Sequence, residues 1–471
     1  MIQGGMGVGI SNWRLAQAVS RRGQLGVVSG TALDQMLARR LQDGAPGGHM
    51  RRALARFPVP AVAARVWDRY FLPNGRAPGA GYRAMPLPSP GRSLEFDELC
   101  VVANFAEVAL AREGHDHPVG INYLEKVQIP HLPSLYGAML AGVNFVLMGA
   151  GIPMRIPGAL DRLARHETAE YPLHVTGDAP GLDTVMTFTP SDIMGATAPP
   201  LTRPAFLAIV SSDVLAKTLL RKSNGRVDGF VVEGPRAGGH SAPPRGRMEL
   251  NARGEPVYGA RDRVDLDKIA ALGLPFWLAG GCGAPEGLSE ALARGASGVQ
   301  VGSAFALCAE SGLRPGYRRK LLDQALRGEV RVFNDPHASP TGFPFKVAAL
   351  EGTLSDDAVY GARLRICDLG YLREAYRQPD GSLGFRCPSE PVSVYVAKGG
   401  EERQARGRKC ICNALIANAG HAQTRAGRHI EPGLLTIGED LSSIPRFVAP
   451  GAADYSASDV IDVLTSKPLP A

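Results

Sequence analysis

The stretch that decides the fold is Gly298-Val-Gln-Val-Gly-Ser-Ala-Phe305, together with Leu278-Ala-Gly-Gly-Cys-Gly-Ala-Pro-Glu286 just before it. Each segment follows a short apolar run and precedes a stretch with helical spacing, which predicts a strand, a glycine turn and a helix. Glycines lack a Cβ, so they let backbone N–H groups converge on an anion at the helix N-terminus. Because (β/α)8 barrels hold a phosphate after strands seven and eight, the two segments predict such a barrel.

Outward from these segments, short apolar runs alternate with amphipathic stretches of helix length. This alternation implies a parallel sheet, and about eight such units imply a closed α/β barrel of the (β/α)8, or TIM, class. An open doubly wound sheet is the alternative, but Gly5-Met-Gly-Val-Gly9 misses the Gly-x-Gly-x-x-Gly spacing of its first turn. Ser11 is predicted to cap a first helix that runs to Arg21. The candidate strands are residues 1–3, 25–29, 118–123, 144–148, 173–176, 206–210, 229–233, 276–279 and 299–301.

Two regions interrupt the alternation. Residues 43–92 are rich in Pro, Gly and Arg and predict an insertion or lid outside the barrel. After residue 312 the alternation stops, which predicts a division into a barrel, residues 1–312, and a separate C-terminal unit, residues 313–471.

Composition limits the classes of function. The 471 residues include 45% hydrophobic residues, 57 Gly and 37 Pro, enough for a barrel-sized core and a second unit. No apolar run of about 18 residues and no charged-then-apolar leader occurs, so we expect a cytoplasmic protein without a membrane span. The net charge of +7 is modest and spread over the chain, so nucleic acid is not an expected partner.

Five stretches, taken in order, resemble a known family. They are Ile2-Gln-Gly-Gly-Met-Gly-Val-Gly-Ile-Ser-Asn-Trp13, Gly120-Ile-Asn-Tyr123, Ala237-Gly-Gly-His240, Ala279-Gly-Gly281 and Gly298–Phe305. Together they are similar to the signature stretches of the nitronate monooxygenase, or 2-nitropropane dioxygenase-like, flavoproteins. The resemblance covers roughly residues 1–312 and implies flavin mononucleotide (FMN) as the cofactor. The same superfamily includes flavin-dependent enoyl reductases of fatty acid and polyketide synthesis.

The resemblance also implies which residues form the site. His240 follows a Gly-Gly pair at the predicted barrel mouth, where its imidazole would lie over the flavin and act as the catalytic residue. An ordinary glycine turn at residues 3–6 and a structural role for Asn122 stay open as alternatives. The expected cofactor-binding residues are Gln3, Gly4, Gly5, Met6, Asn122, Glu233, Ala237, Gly238, Gly239, Gly280, Gly281, Gln300, Gly302 and Ser303.

The sequence departs from the family pattern at two places. The well-studied nitronate oxidisers carry a histidine base at the end of a middle strand, and Val146-Leu-Met-Gly-Ala-Gly-Ile-Pro153 has no titratable group there. A nitronate that arrives as the anion does not need that base. Glu233 also stands where many relatives have glutamine, which predicts a negative charge near a reduced flavin.

Four of the seven cysteines lie in the C-terminal part: Cys367, Cys387, Cys410 and Cys412. Four thiolates can form a closed zinc site or hold a metal cluster, although these spacings match no standard Cys-x2-Cys pair. Small buried thiols are the alternative.

Three functions follow as hypotheses. The first is an FMN-dependent oxidoreductase that oxidises an alkyl nitronate with O2 to a carbonyl compound and nitrite. The second is an enoyl-thioester reductase that uses NAD(P)H, with an acyl carrier protein as its partner. The third is a non-catalytic barrel that retains FMN. The first two imply a small-molecule substrate, and the oligomeric state, a homodimer included, stays open.

Overall fold

The computed structural model describes residues 1–91, 93–178, 184–195, 198–425 and 429–466. The strands are β1 (Ile2–Gln3), β2 (Leu25–Ser29), β3 (Val119–Leu124), β4 (Phe145–Gly149), β5 (Ala169–Leu173), β6 (Val175–Thr176), β7 (Thr184–Phe188), β8 (Ala205–Val210), β9 (Gly229–Glu233), β10 (Phe276–Ala279), β11 (Gly298–Val301), β12 (Val332–Asp335), β13 (Phe345–Ala348), β14 (Glu374–Arg377), β15 (Leu383–Arg386), β16 (Thr424–Arg425) and β17 (His429–Ile430). The helices are α1 (Trp13–Arg21), α2 (Leu33–Gln42), α3 (His49–Leu54), α4 (Pro60–Tyr70), α5 (Leu94–Ala111), α6 (His131–Leu140), α7 (Ile156–Ala164), α8 (Ser191–Met194), α9 (Asp213–Lys222), α10 (Leu266–Ala270), α11 (Pro285–Ala293), α12 (Ser303–Ala306), α13 (Pro315–Leu326), α14 (Asp357–Ala362), α15 (Val392–Ala397), α16 (Glu402–Ala405), α17 (Ile411–Asn418) and α18 (Ala457–Thr465).

Eight parallel strands close into a barrel in the order β1, β2, β3, β4, β8, β9, β10, β11, with β11 pairing back to β1. The register brings Ile2 level with Gln300 on one side and with Leu25 on the other. The barrel strands are apolar and almost wholly buried, as expected for strands covered on both faces. The predicted (β/α)8 class is confirmed.

One candidate strand lies outside the barrel. Residues 173–176 form the end of β5 and the short β6; β5 pairs antiparallel with β7, and β6 pairs with β14. In β5, buried Tyr171 follows exposed Glu170, the period-two pattern of a strand with one face in water. The prediction of a barrel strand here was wrong. The true barrel strands are continuous apolar runs, whereas β5 alternates between buried and exposed residues.

The first helix is capped by Asn12 rather than by Ser11. The Asn12 side chain accepts a hydrogen bond from the Leu15 N–H at 3.0 Å. The Ser11 hydroxyl lies one residue earlier, where it donates to the Gly4 carbonyl at 2.9 Å and accepts the Met6 N–H at 3.0 Å. Ser11 therefore fixes the glycine turn after β1.

The helix that closes the outer ring comes from the far end of the chain. Helix α18 packs against α1 and α11, the place that the helix after the eighth strand takes in this class of barrel. Its buried residues Val460, Ile461 and Leu464 join the same hydrophobic core as Leu15 and Val19 of α1. Residues 307–456 therefore form a long segment between α12, which follows the eighth barrel strand, and the closing helix α18. The division of the chain at residue 312 stays a prediction.

The predicted insertion contains two helices, α3 and α4, that pack on α5. Val62, Ala63 and Val66 form the buried face of α4. Within the described ranges, no helix is both long and apolar enough to cross a membrane.

Candidate functional site

A cavity of about 260 Å³ lies at the carboxyl ends of the barrel strands. Its walls come from the segments that follow β1, β3, β4, β9, β10 and β11, because all parallel strands of a barrel end at the same face. Residues 435–444, far along the chain, cover one side of it. This mouth is where barrels of this class place their active sites.

The cavity brings together the predicted catalytic residue and every predicted cofactor-binding residue except one. Its lining includes Gly4, Gly5, Met6, Asn122, Glu233, Ala237, Gly238, Gly239, His240, Gly280, Gly281, Gln300, Gly302 and Ser303. Gln3 is not among them, which corrects its assignment as a cofactor contact. The Gln3 side chain is fully buried, donating to Ser11 Oγ at 2.9 Å and accepting from the Val27 N–H at 3.1 Å, so it joins β1 to β2 and to the glycine turn.

Two turns at the carboxyl ends of β10 and β11 offer free backbone donors to the cavity. Within the described part of the chain, the N–H groups of Gly281, Cys282, Gly302 and Ser303 donate to no other protein atom. Gly281 has a φ of +85°, a conformation that L side chains rarely adopt. The free N–H groups and the glycine geometry together fit a bound phosphate.

The side chain of Arg236 lies beside the turn that follows β10. The guanidinium of Arg236 is close enough that a Cβ on Gly281 would lie 3.1 Å from Arg236 Nη1. Arg236 also donates to Asp440 Oδ2 at 2.7 Å, and Ser303 Oγ accepts the Gly438 N–H at 2.9 Å. Residues 438–440 therefore fix both the guanidinium of Arg236 and the turn at Gly302 and Ser303.

Two further observations fit a flavin. Gln300 Oε1 is buried beside Gly4 at the cavity and has no hydrogen-bond partner within the described residues, so it needs a donor from a ligand. Flavin rings carry such an N–H. Asn122 Nδ2, in contrast, donates to the carbonyls of Tyr123 and Leu147 at 2.9 and 3.1 Å, so its amide hydrogens serve the barrel.

Glu233 ends β9 at the cavity, and burial raises the pKa of its carboxyl from 4.5 to about 7. The folded protein therefore holds this proton more tightly than the unfolded chain does between pH 4.5 and 7. The destabilising contribution of Glu233 grows as the pH rises through that window, and it is fully present above about pH 7.

We expect Glu233→Gln to raise the melting temperature at pH 8 by about 1–3 °C and to leave it unchanged at pH 4. The amide removes the cost of a buried carboxylate, which is absent at pH 4 because the carboxyl is protonated. Thermal unfolding measured at both pH values checks this, with the exposed Glu290→Gln as the control. Equal stabilisation at both pH values would contradict the assigned cause.

His240 lines the cavity, and Lys126 lies in an adjoining groove, close enough for its charge to act on the imidazole. His240 Nε2 lies 2.7 Å from Ser339 Oγ, which in turn contacts Thr341 Oγ1 at 2.8 Å. Burial, and secondly the charge of Lys126, lower the pKa of His240 to about 3. Burial also lowers the pKa of Lys126 to about 7, and its Nζ lies 2.7 Å from the centroid of the Phe343 ring. At neutral pH the imidazole is thus uncharged, beside an ammonium that titrates near neutrality.

Some residues that line the cavity were not predicted from the sequence. Arg236 directly precedes the motif Ala237-Gly-Gly-His240, and its positive charge next to these glycines is a signal that could have indicated an anion site. Thr436, which accepts the Gly239 N–H at 2.8 Å, and Asp440 lie in a segment without a recognisable motif.

The four C-terminal cysteines line one very small cavity of about 10 Å³. Within the described residues, however, no three His, Cys, Asp or Glu side chains are placed to hold a metal ion, which corrects the zinc expectation. A hydrogen bond with Cys387 and burial raise the pKa of Cys367, and burial raises that of Cys410 and of Cys412.

The comparisons with known proteins agree with these motifs over part of the chain. Residues 204–332 match the family model of nitronate monooxygenase, so the predicted resemblance is confirmed for that part. The chain is 36% identical over 115 residues to a probable nitronate monooxygenase of Bacillus subtilis, and 43% identical over 95 residues to a nitronate monooxygenase of Pseudomonas aeruginosa. These matches cover 24% and 20% of this chain but only 31% and 25% of the relatives.

A third relative has a different name. The chain is 30% identical over 138 residues, 29% of its length, to the (3aS,4S,5R,7aS)-5-hydroxy-7a-methyl-1-oxo-octahydro-1H-indene-4-carboxyl-CoA dehydrogenase of Mycobacterium tuberculosis, of which 36% is covered. The similar solved structures include FabK from Thermotoga maritima, with 17% identity, a TM-score of 0.48 and coverage of 98% and 90% of the two chains. Nitroalkane oxidase from Streptomyces ansochromogenes has 15% identity, a TM-score of 0.48 and coverage of 99% and 94%.

Proposed function

We propose that this protein is an FMN-dependent oxidoreductase of nitronate monooxygenase type. The reaction converts an alkyl nitronate and O2 into a carbonyl compound and nitrite. The barrel, the free N–H groups at the ends of β10 and β11, and the family match over residues 204–332 support the proposal.

The residues divide the work between holding the cofactor and holding the substrate. Gly281 and Gly302 would bind the phosphate through backbone N–H groups, and Gln300 Oε1 would accept a hydrogen bond from the ring. When bound, FMN supplies the electron transfer between substrate and O2, for which no side chain is suited. His240, a neutral imidazole that lines the cavity, would provide polar contacts on the substrate side, and the charge of Lys126 acts on it from the adjoining groove.

The observation that carries the choice of substrate is the kind of polar group at this mouth. At the end of β4 the wall is formed by Gly149 and Ala150, which have no titratable group. His240 takes up a proton only near pH 3, so it is a weak base at neutral pH. Lys126, in contrast, is a cation below about pH 7. Neither the end of β4 nor His240 therefore supplies a base, and these two parts of the site suit an anion that is already formed better than a neutral nitroalkane.

We therefore expect the protein to oxidise a preformed nitronate at least about a hundredfold faster than the matching neutral nitroalkane, the usual contribution of a well-placed base. Propyl 2-nitronate and 2-nitropropane are a matched pair of substrates. Oxygen uptake and nitrite release, measured before the two forms interconvert, give both rates. Equal initial rates would mean that a base acts on the nitroalkane, and the first candidate would be Glu233, which lines the cavity and has a pKa of about 7.

A second candidate is an NAD(P)H-dependent enoyl-thioester reductase, with an acyl carrier protein as partner. A large groove that adjoins the flavin cavity favours it, because a small nitronate does not need this space. Anaerobic mixing of the yellow protein with NADPH, and separately with a nitronate, distinguishes the two candidates by which reagent bleaches the flavin.

A further inference from the structure

The proposed function leaves a groove beside the flavin cavity unused. It has a volume of about 990 Å³ and shares the walls Tyr371 and Leu372 with the flavin cavity. Residues 172–178 and 340–343 form other parts of its lining, together with residues of β14 and β15. The groove and the flavin cavity are therefore neighbours that meet at Tyr371 and Leu372.

The groove presents three cations that lack ion-pair partners in the described part of the chain: Lys126, Arg373 and Arg408. Arg373 donates to the carbonyls of Pro88 and Gly370 at 2.8 and 3.3 Å. Arg408 donates to the carbonyls of Gln404 and His337, each at 2.9 Å. Carbonyls accept these hydrogen bonds without neutralising the charge.

Two of the three acidic groups that line the same groove are ion-paired, so one carboxylate, that of Glu125, stands against the three cations. Asp178 pairs with Arg377 at 2.8 Å, and Glu374 pairs with Arg386 at 2.8 Å. Glu125 accepts hydrogen bonds from Gln128 and Tyr171, both at 2.9 Å. The uncompensated charge that faces the groove is therefore positive, which favours an anionic ligand.

Aromatic rings lie among these cations. Phe343 is next to Lys126, and Phe385 lies under the guanidinium of Arg373, 4.8 Å from the ring centroid. Tyr395 also lines the groove. Rings beside arginines provide flat surfaces on which a planar base stacks, and the arginine forks suit phosphate oxygens.

We propose that this groove binds the adenosine diphosphate part of a ligand whose other end enters the flavin cavity. NAD(P)H and coenzyme A thioesters share this chemistry, since each joins an adenosine diphosphate to a long arm that carries the reacting group. The proposal rests on the proposed flavin-dependent oxidoreductase, and it makes either the reductant or the substrate a nucleotide-bearing molecule.

Calorimetric titration of the flavin-loaded protein with ADP tests the groove directly, without relying on turnover. We expect saturable binding that weakens as salt rises, because the contacts are ionic. Arg373→Gln and Arg408→Gln should each weaken ADP binding by about tenfold or more, the cost of losing a hydrogen bond from a charged group. The control is Arg403→Gln, an exposed arginine paired with Glu401 outside the groove, which should leave the affinity within about twofold.

Phe385→Leu keeps the test decisive if an arginine variant fails to fold, since it removes the ring and no charge. Absence of saturable ADP binding to the wild-type protein, or equal affinity in all the groove variants, would overturn the proposal. A protein that binds ADP but no FMN would instead overturn the proposed function and leave the groove standing.

Competition experiments then identify the source of the adenosine diphosphate. Reduction of the flavin by NADPH that ADP inhibits assigns the groove to the reductant. Displacement of ADP by coenzyme A, without reduction by NADPH, assigns it to a thioester substrate. If neither molecule displaces ADP, the groove does not serve the flavin cavity and the proposal is wrong.

Discussion

Gly281→Leu should purify without FMN and fail to bind FMN that is added later. A side chain at this position enters the space between the turn and Arg236, where even a Cβ would lie 3.1 Å from Nη1. It also strains a backbone at φ +85°, which costs about 1–2 kcal/mol for a residue other than glycine. Loss of two charge-assisted hydrogen bonds to the phosphate adds about 3–6 kcal/mol. The lost hydrogen bonds alone weaken FMN binding by a factor of about a hundred or more, while the backbone strain lowers the stability of the free and the bound protein alike.

Gly295→Leu is the matched control. Gly295 also has a positive φ, +78°, but it is exposed, and a Cβ added there would meet no atom within 4 Å, so this variant carries the backbone strain without touching the cavity. Flavin content from the absorbance spectrum and the Kd from fluorescence titration compare the two variants. Full flavin occupancy in Gly281→Leu, and in a parallel Gly302→Leu variant, would place the phosphate elsewhere.

The sequence predicted the barrel and most of this site because both depend on local signals. All eight barrel strands have bounds within one residue of their predicted positions, since buried parallel strands are apolar runs between turns. The glycines at Gly280, Gly281 and Gly302 could be assigned because each directly follows such a run. Parallel strands then bring these turns to one mouth without any further information.

The parts that were missed depend on contacts between residues distant in the chain. Nothing in the local pattern of residues 457–465 indicates that α18 closes the ring between α1 and α11. Asp440 is likewise an ordinary acidic residue in the sequence, and only the fold places it 2.7 Å from Arg236. Gln3 is a residue that was predicted for the site but does not line the cavity. Its neighbours in the glycine turn reach the cavity, whereas its own side chain forms hydrogen bonds with Ser11 and Val27.

His240→Ala should keep its FMN but lose about a hundredfold or more in turnover, on whichever substrate proves correct. The variant removes one hydrogen-bond donor that is aligned with the negative charge of the substrate or of the transition state. The proposed phosphate site consists of backbone N–H groups at other strand ends, so the variant leaves these donors intact. Only the polar contacts at the substrate side of the cavity change. Turnover per bound flavin is the measurement that separates the two effects.

His240→Asn and His117→Ala are the informative companions. Asparagine keeps a hydrogen-bond donor and should recover part of the lost turnover, while His117 is exposed and outside the cavity, so its removal should have no effect. Because the pKa of His240 is about 3, the imidazole stays neutral from about pH 5 to 9, and its loss should lower turnover equally across that range. Unchanged turnover in flavin-replete His240→Ala would remove the residue from the mechanism. Loss of flavin together with turnover would make His240 a cofactor ligand, and the Ser339 hydroxyl that now lies 2.7 Å from its Nε2 would become the next polar group to test at the substrate side.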